Sequence, residues 1–400
     1  IPTERQTSVG FDAKWEVRPG LVLDGTVNPD FAQVEADQEI VNLTRFDLFL
    51  PEQREFFLEN AGIFQLGYEG FFEPPPFLLF FSRRIGISDD GEIPVMGGAR
   101  LTGRAGKQTI GLLGVLTDAA FEEPRTSFAT ARLKRDVGTS GYVGAMLTDR
   151  RDELDAETDA GADFSLWPTP RLNVTGFAAY TSAYRDREAD KAYRLGAEYR
   201  NDRVWAQAQH MLVGPHAETG MGFVTRTDVR RTDGFGQYTF RPRLLGLRQF
   251  QVFGGGTWLT RVTGEEQDAD AFTGLSLEWN SGETASVFVS TGFTQLDEEF
   301  DLADRIPVPP GRYDLRRLTI FGGTSPSRRV GARVMARFSE EWDGRTNLVD
   351  VGSRVSLGKH LTAGVGWTMS QADLPGGSFT AHVVGLRATL AFSTRLFTRA

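Results

Sequence analysis

The sequence predicts an all-β fold, a transmembrane up-and-down antiparallel β-barrel. Three observations predict it. Apolar residues alternate with small or polar ones over strand-length stretches. The connections between those stretches alternate between short and long, as they do around an up-and-down barrel in a bacterial outer membrane. No stretch approaches the roughly 20 apolar residues of a membrane helix; the longest apolar cluster is Phe77 to Phe81.

The alternation is plain along the chain. In His360–Gln371, Leu361, Ala363, Val365, Trp367 and Met369 fall on one face, and Thr362, Gly364, Gly366, Thr368 and Ser370 on the other. Tyr193, Leu195, Ala197 and Tyr199 alternate with Arg194, Gly196, Glu198 and Arg200. Val349, Val351, Val355 and Leu357 alternate with Asp350, Gly352, Arg354 and Ser356; Val95, Ala99 and Leu101 alternate with Met96, Gly98, Arg100 and Thr102. The apolar set suits lipid and the polar set a hydrated lumen, because a charge in mid-strand is costly against lipid.

Short turns are expected at Arg18–Gly20, Ala105–Gln108, Val137–Ser140, Pro168–Pro170, Asn201–Arg203, Leu244–Leu247, Asn280–Glu283, Ser325–Arg328, Gly358–His360 and Ser393–Arg395. Longer polar connections are expected at Arg150–Ala160, Thr263–Gln267, Gln295–Arg312, Glu340–Arg345 and Ala372–Gly377. Counting between them gives about 20 strands, with 20 to 24 expected for the whole protein. Residues 1–400 are read as one barrel domain, cut at both ends, from a longer exported protein. The 30 Phe and 45 Gly fit interfacial girdles and a curved, closely packed wall.

One segment breaks the rhythm. Residues 29–93 form a plug-like or capping insertion, too rich in Phe to be a freely solvated loop. Pro51-Glu52-Gln53-Arg54 reads as the first turn of a short helix stopped at Gly62, and Pro74-Pro75-Pro76 as a stiff connector. A second interruption, Gly214 to Arg231, carries Arg226, Arg230 and Arg231 with Asp228. Together with Asp233 just beyond, it could pair with the acidic first segment through Glu35, Asp37, Glu52, Glu55 and Glu59, or these are simply solvated loop charges.

Several motifs resemble a known family. These are Asn28-Pro29-Asp30-Phe31-Ala32-Gln33-Val34-Glu35-Ala36-Asp37, Asn42-Leu43-Thr44-Arg45-Phe46, Pro51-Glu52-Gln53-Arg54-Glu55-Phe56-Phe57-Leu58-Glu59 and Ser82-Arg83-Arg84-Ile85-Gly86. Gly222–Asp228, Pro309–Tyr313 and Phe392–Phe397 continue the likeness. Together they resemble an uncharacterised outer-membrane β-barrel family, a domain of unknown function whose members often follow a domain like the family 9 carbohydrate-binding modules. The resemblance implies an outer-membrane location, a carbohydrate-binding-like domain before this stretch and a few strands after it. It brings no catalytic residues.

Chemistry is sparse. The net charge of -9 argues against a nucleic-acid partner. There is no Cys, no H-E-x-x-H helix, no G-x-S-x-G elbow and no Walker A loop. His210 and His216 with Asp228 or Asp233 are the residues a barrel hydrolase would use, the least favoured reading. The acidic runs Asp149–Asp163, Glu265–Asp270 and Asp297–Asp304 could bind divalent cations bridging lipopolysaccharide phosphates; solvated loop charge is the plainer reading, and no other cofactor is expected. The leading expectation is a gated or partly plugged channel for a polar solute, a glycan fragment or a peptide. Its candidate lumen or gating residues are Glu35, Asp37, Arg45, Glu52, Arg54, Glu59, Arg83, Arg84, Arg100, Arg226 and Arg230. The alternative is a barrel that anchors a carbohydrate-binding domain. Lipid and lipopolysaccharide are the expected partners, and the oligomeric state is left open.

Overall fold

The computed structural model describes residues 10–29, 49–67, 76–88, 91–242, 244, 246–303, 305–358, 360–391 and 397–399. Within them the chain is built almost wholly of antiparallel strands, twenty of which belong to the main ladders. They fall in two compact bodies. The first gathers most of the described residues up to Glu198 together with Gln209–Arg230, and the second Tyr199–Ala208 with Arg231 onward.

In the first body each strand pairs with the next in sequence. The ladder comprises β1 (Phe11–Arg18), β2 (Leu21–Val27), β3 (Val95–Ala105), β4 (Gln108–Thr117), β5 (Thr126–Val137), β6 (Gly141–Arg151), β7 (Ala156–Thr169) and β8 (Leu172–Thr181). Strands β9 (Asp190–Arg200), β10 (Val204–Val213) and β11 (Val229–Phe240) follow; of these, Tyr199, Arg200, Val204–Ala208 and Arg231–Phe240 belong to the second body. In the second body β12 (Leu247–Thr260), β13 (Glu266–Trp279), β14 (Thr284–Leu296), β15 (Gly311–Gly323), β16 (Val330–Glu341), β17 (Gly344–Leu357), β18 (Leu361–Leu374), β19 (Gly377–Ala391) and β20 (Phe397–Arg399) form the same meander. This is the expected up-and-down order. Among the described residues no helix is long and apolar enough to cross a membrane, which says nothing about crossing by strands.

The two faces of the strands have opposite chemistry. In β9, Arg194 is 7% exposed while its neighbour Leu195 is 56% exposed. In β6, Thr148 is buried and Leu147 exposed; in β5, Arg132 is buried and Leu133 exposed. Side chains two apart share a face. The sheet therefore hides charge and presents aliphatic surface, the reverse of a sheet covering a water-soluble core.

The structure corrects several details. Val95 is buried and Met96 exposed, because the β3–β4 register slips between Val95 and Gly97. A bulge inserts one residue and moves everything before it to the other face. The expected turn at Pro168–Pro170 falls instead at residues 170–171, since β7 runs to Thr169 and β8 starts at Leu172. Three connections expected to be long are short: residues 152–155, 342–343 and 375–376. Trp342 and Asp343 both have φ near +55°, the geometry of a two-residue hairpin turn whose twist matches the flanking strands. Polar composition suggested loops here, but ladder hydrogen bonds extend strands regardless of side-chain polarity. The long 297–310 connection does occur; within it, Phe300–Leu302 pairs with Ile306–Val308.

The described residues 49–67, 76–88 and 91–94 lie between β2 and β3 in sequence and contribute no rung to the meander; β2 pairs with β3 directly, from Leu21↔Gly103 to Val27↔Gly97. The insertion's helix, α1 (Glu55–Leu58), starts after Arg54 rather than at Pro51. Gly62 does not stop it but lies inside a separate 3-10 turn, Ala61–Phe64. Pro74 and Pro75 lie outside the described residues.

In the second body the 300–308 hairpin folds onto the strand ends. Leu302, Ile306 and Val308 pack with Leu296, Tyr313, Trp342 and Leu374 into a small apolar core. Leu302 is fully buried there. Leu302→Ala is expected to cost about 2–5 kcal/mol locally through the cavity it leaves. Residues 297–310 should then become protease-sensitive while the sheet spectrum by circular dichroism stays unchanged.

Candidate functional site

The insertion packs on the charge-bearing face of the first body, and three wall arginines hold its backbone. Arg100 rises from β3, Arg132 from β5 and Arg194 from β9, each on a buried position of its strand. A buried guanidinium has five N–H donors to satisfy. Here insertion carbonyls accept from all three.

Arg100 donates through Nη1 to the carbonyls of Phe56 and Glu59, at the C-terminal end of α1. Cations are favoured at that end, where carbonyls are left without helical partners. Its Nη2 donates to Asp24 of β2 at 2.8 Å and to the Glu59 carboxylate at 3.3 Å. The guanidinium also lies 5.3 Å from the centre of the Phe56 ring. Lys14 of β1 completes the cluster with an ion pair to Glu59.

Arg132 makes a bidentate pair with Asp163 of β7, at 2.7 Å for each arm, with both side chains fully buried. Strand β6 lies between β5 and β7. The pair closes over Gly144, where an added Cβ would sit 2.7 Å from both Arg132 Nη1 and Asp163 Oδ1. The remaining capacity goes to the insertion. Arg132 Nε donates to the Ile63 carbonyl at 3.3 Å and Nη2 to the Gln65 carbonyl at 3.1 Å. Asp163 accepts the Gly67 N–H and the Tyr142 hydroxyl, each at 3.0 Å. Arg194 donates Nη1 to the Gly67 carbonyl at 2.9 Å and Nε to Gln209 at 2.6 Å.

The insertion is also tied to itself. Arg54, buried, donates to both oxygens of Glu52 and to the carbonyls of Ser82 and Ile85 at 2.8 and 2.6 Å. Burial opposes ionisation of Glu52, but the hydrogen bond and charge of Arg54 outweigh it and hold its pKa below the ordinary value. Arg54 thus joins residues 52–58 to residues 82–85. Apolar contacts fill the rest. Phe64, Leu66, Phe77, Leu79 and Ile85 are buried, and Phe77 stacks on Phe177 of β8 with centroids 5.7 Å apart. Glycines on the wall make room: a Cβ on Gly111 would lie 2.8 Å from Ile63, and one on Gly161 2.7 Å from Leu66.

A second lacing holds the connections of this body. Tyr184 sits among the guanidiniums of Arg150, Arg185 and Arg187, 5.1–6.0 Å from its ring centre, and donates its hydroxyl to Asp152 at 2.6 Å. Arg187 pairs with Glu157, whose other oxygen accepts the Gly220 N–H at 2.9 Å. Burial pushes the Asp152 pKa up, but bonds from Tyr184, the Asp155 and Leu154 amides and Arg185 prevail and bring it down to about 2.

The sequence-predicted residues separate into groups. Arg100, Glu59, Arg54 and Glu52 are brought together around α1. Arg83 donates to the Pro51 carbonyl at 3.2 Å, and Arg84 to the Gly222 carbonyl at 3.2 Å. The two interruptions do meet, through that bond and through backbone pairing of Phe77–Leu78 with Phe223–Val224, while Glu52 and Glu59 pair with Arg54, Lys14 and Arg100. Arg226 lies in the 214–228 connection and Arg230 on the exposed face of β11. Glu35, Asp37 and Arg45 lie outside the described residues. His210 is exposed beside the inward-facing Gln209, and His216 is exposed in the connection. In the acidic run, Asp163 and Asp152 are engaged as described and Asp149 accepts from Thr158. Sequence reasoning missed Arg132, Asp163, Asp24 and Gln209 as site residues. The signal for the first two was a charge at mid-strand on the polar face.

Two outcomes follow. Gly144→Ala is expected to separate Arg132 from Asp163 and destabilise the first body by about 3–5 kcal/mol, the cost of leaving a buried charge without its partner. Urea unfolding in lipid vesicles measures it, and Asp163→Ala in the Gly144→Ala background should add much less than it does alone. For Asp152 the folded pKa lies below the ordinary 3.8. Its contribution is therefore complete above about pH 4 and lost as the pH falls toward 2. Hydrogen exchange in residues 152–155 and 182–189 should be flat from pH 7 to 4, after correction for intrinsic rates, and lose protection below that.

Residues 2–97 match a family model described as "Domain of unknown function (DUF5916)". No curated protein matches the chain in sequence. Among solved structures it is similar to Pseudomonas aeruginosa OccK10 (OpdN), with a TM-score of 0.44 and 8% identity over 74% of this chain and 93% of that one. It is likewise similar to Acinetobacter baumannii OccAB2, with a TM-score of 0.42 and 10% identity over 74% and 92%. A third is a structure titled "Bacterial polysaccharide outer membrane secretin", with a TM-score of 0.38 and 10% identity over 69% and 94%.

Proposed function

We propose that the chain is a bacterial outer-membrane β-barrel that conducts a polar solute past a fixed constriction formed by its insertion. The observation that carries this reading is the reversed polarity of the wall, with Arg194 buried beside exposed Leu195 and Arg132 beside exposed Leu133. An antiparallel wall with an aliphatic outer face suits lipid on that side, and its charged face suits water or a folded plug. Closure of the meander into one barrel domain is part of the proposal, as are lipid and lipopolysaccharide as its surroundings.

The clamp defines how such a channel works. Carbonyls of Phe56, Glu59, Ile63, Gln65 and Gly67 are held by three wall guanidiniums, and the Arg132–Asp163 pair is complete only with the insertion in place. Ejecting residues 54–67 would break the hydrogen bonds from Arg100, Arg132 and Arg194 to these carbonyls together with the Glu59 ion pairs, at a cost of several kcal/mol. A passing solute would have to supply that difference in binding energy. The segment therefore narrows the path and sets its charge, and does not swing out of it. Permeation is passive diffusion, with selectivity set by the groups lining the remaining space.

Ion conductance of the purified protein in planar bilayers is the direct test. The native chain has no Cys. Asn60→Cys with Thr102→Cys therefore introduces a single tether where the two side chains meet at 3.1 Å. A steady current, unchanged when the tether is oxidised or reduced, is expected. A current abolished by oxidation and restored by reduction would show a moving gate. A silent barrel would favour the anchoring reading instead.

A further inference from the structure

The second body carries its own feature on the charge-bearing face, a row of aromatic rings. Trp205 of β10 meets Phe235 of β11 at 5.0 Å between centroids. Phe235 neighbours Phe253 of β12 and Phe272 of β13, at 6.4 and 6.3 Å. Phe253 and Phe272 each approach Phe288 of β14, at 6.1 and 6.2 Å, and Phe288 stacks on Phe321 of β15 at 6.1 Å. Six consecutive strands thus supply one ring each.

Register places the row. Phe253 is opposite Gly274, Phe272 opposite Gly255, Phe288 opposite Gly274 as well, and Phe321 opposite Ser286. Residues directly opposite share a face. That face also carries buried Ser290 and Thr319, whereas Val252, Val287, Val289 and Ile320 occupy the exposed aliphatic face. These six rings are therefore not part of a lipid-facing girdle. Trp205 and Phe235 are buried, Phe253, Phe272 and Phe288 are half-buried, and Phe321 is exposed. The rings lie over glycines: a Cβ on Gly274 would be 2.7 Å from the edge of Phe253, and one on Gly255 3.0 Å from Phe272.

Hydrogen-bonding groups flank the row on the same face. Asp233 is two residues from Phe235, Asp270 two from Phe272, Gln251 two from Phe253, and Arg317 four from Phe321. Flat aromatic faces bordered by carboxylates, an amide and a guanidinium match one kind of solute best. Its units must each have an apolar C–H face and a rim of hydroxyls. A peptide has no such repeated face, and a free aromatic compound would not use the polar border.

We propose that the open rings of this row, Phe253, Phe272, Phe288 and Phe321, are a binding track for oligosaccharides, with pyranose rings stacking on them and hydroxyls bonding to Gln251 and to Arg317, which also pairs with Glu341. The assignment rests on the channel reading above. In a barrel whose strands tilt by 35–45°, a row running across the ladder climbs along the axis as it turns, so the track leads a chain along the inner face of the wall. Each step exchanges one ring for the next, which holds a sugar chain without trapping it.

The test is single-channel current of the full protein with maltohexaose, cellohexaose or chitohexaose added, against a polyethylene glycol of matched size. Phe272→Leu and Phe288→Leu keep an apolar cover over the glycines and remove the ring faces. At least one hexasaccharide is expected to interrupt the native current, and the Leu variants should shorten those interruptions about tenfold with polyethylene glycol block unchanged. A conducting channel that no sugar interrupts, or sugar interruptions unaltered in the Leu variants, overturns the track and leaves the channel standing. A protein without current overturns both.

Discussion

The first body is organised around the need to satisfy one buried ion pair. Arg132 and Asp163 are taken fully out of solvent, and such a pair returns its desolvation cost only if the remaining donors and acceptors are also used. Two arms close the pair itself, Tyr142 of β6 adds one bond, and the rest reach the insertion, through Ile63, Gln65 and Gly67. The wall thus requires the insertion as much as the insertion requires the wall. Arg100 repeats the logic on β3, where it satisfies both Asp24 and the open carbonyls after α1. The phenylalanines of the insertion then pack where these bonds set the backbone down. Apolar burial adds contact area, but it is non-directional; the guanidiniums fix the position.

Much of this could be seen in the sequence, because a period of two is a property of the extended backbone itself. Arg194 beside Leu195 announced which face was which. The pattern failed where the backbone departs from its period. Val95 was assigned to the wrong face because a bulge has no reliable side-chain signature. The 342–343 turn was read as part of a longer connection because Trp342 and Asp343 are not the Gly or Asn usually found at two-residue turns with positive φ. In the site, Arg100 stood out as a charge inside a strand. Arg132 and Asp163 carried the same signal, but their pairing depends on three strands being in register over Gly144. No local window contains that information. Arg54 and Glu52 were placed together as a helix start, and are instead a crosslink within the insertion.

The two bodies use the charge-bearing face differently. In the first, guanidiniums and carboxylates are consumed by a folded segment. In the second, ion pairs such as Arg317–Glu341 and Arg231–Asp233 are made between neighbouring wall positions, and rings cover the backbone between them. Connections differ to match. The 300–308 hairpin folds onto its own strand ends through an apolar core, whereas connections of the first body are laced by Tyr184 and three arginines.

Glycine is what permits each of these arrangements. In mid-strand it costs about 0.5–1 kcal/mol relative to alanine, so a wall rich in it must recover the loss elsewhere. Curvature alone would be satisfied by glycine on either face. Gly111, Gly144, Gly161, Gly255 and Gly274 lie on the charge-bearing face, and each is occupied by something specific. Over Gly144 an ion pair closes. Against Gly111 and Gly161 the insertion seats Ile63, Phe64 and Leu66. Over Gly255 and Gly274 lie the rings of Phe272, Phe253 and Phe288. A methyl group at any of these sites would meet a side chain at 3.0 Å or less. These five glycines therefore record where the wall has given up its own side chain to receive another. That makes them better markers of where this face receives another group than charged residues such as Arg132, Asp163 and Arg317, which are already paired.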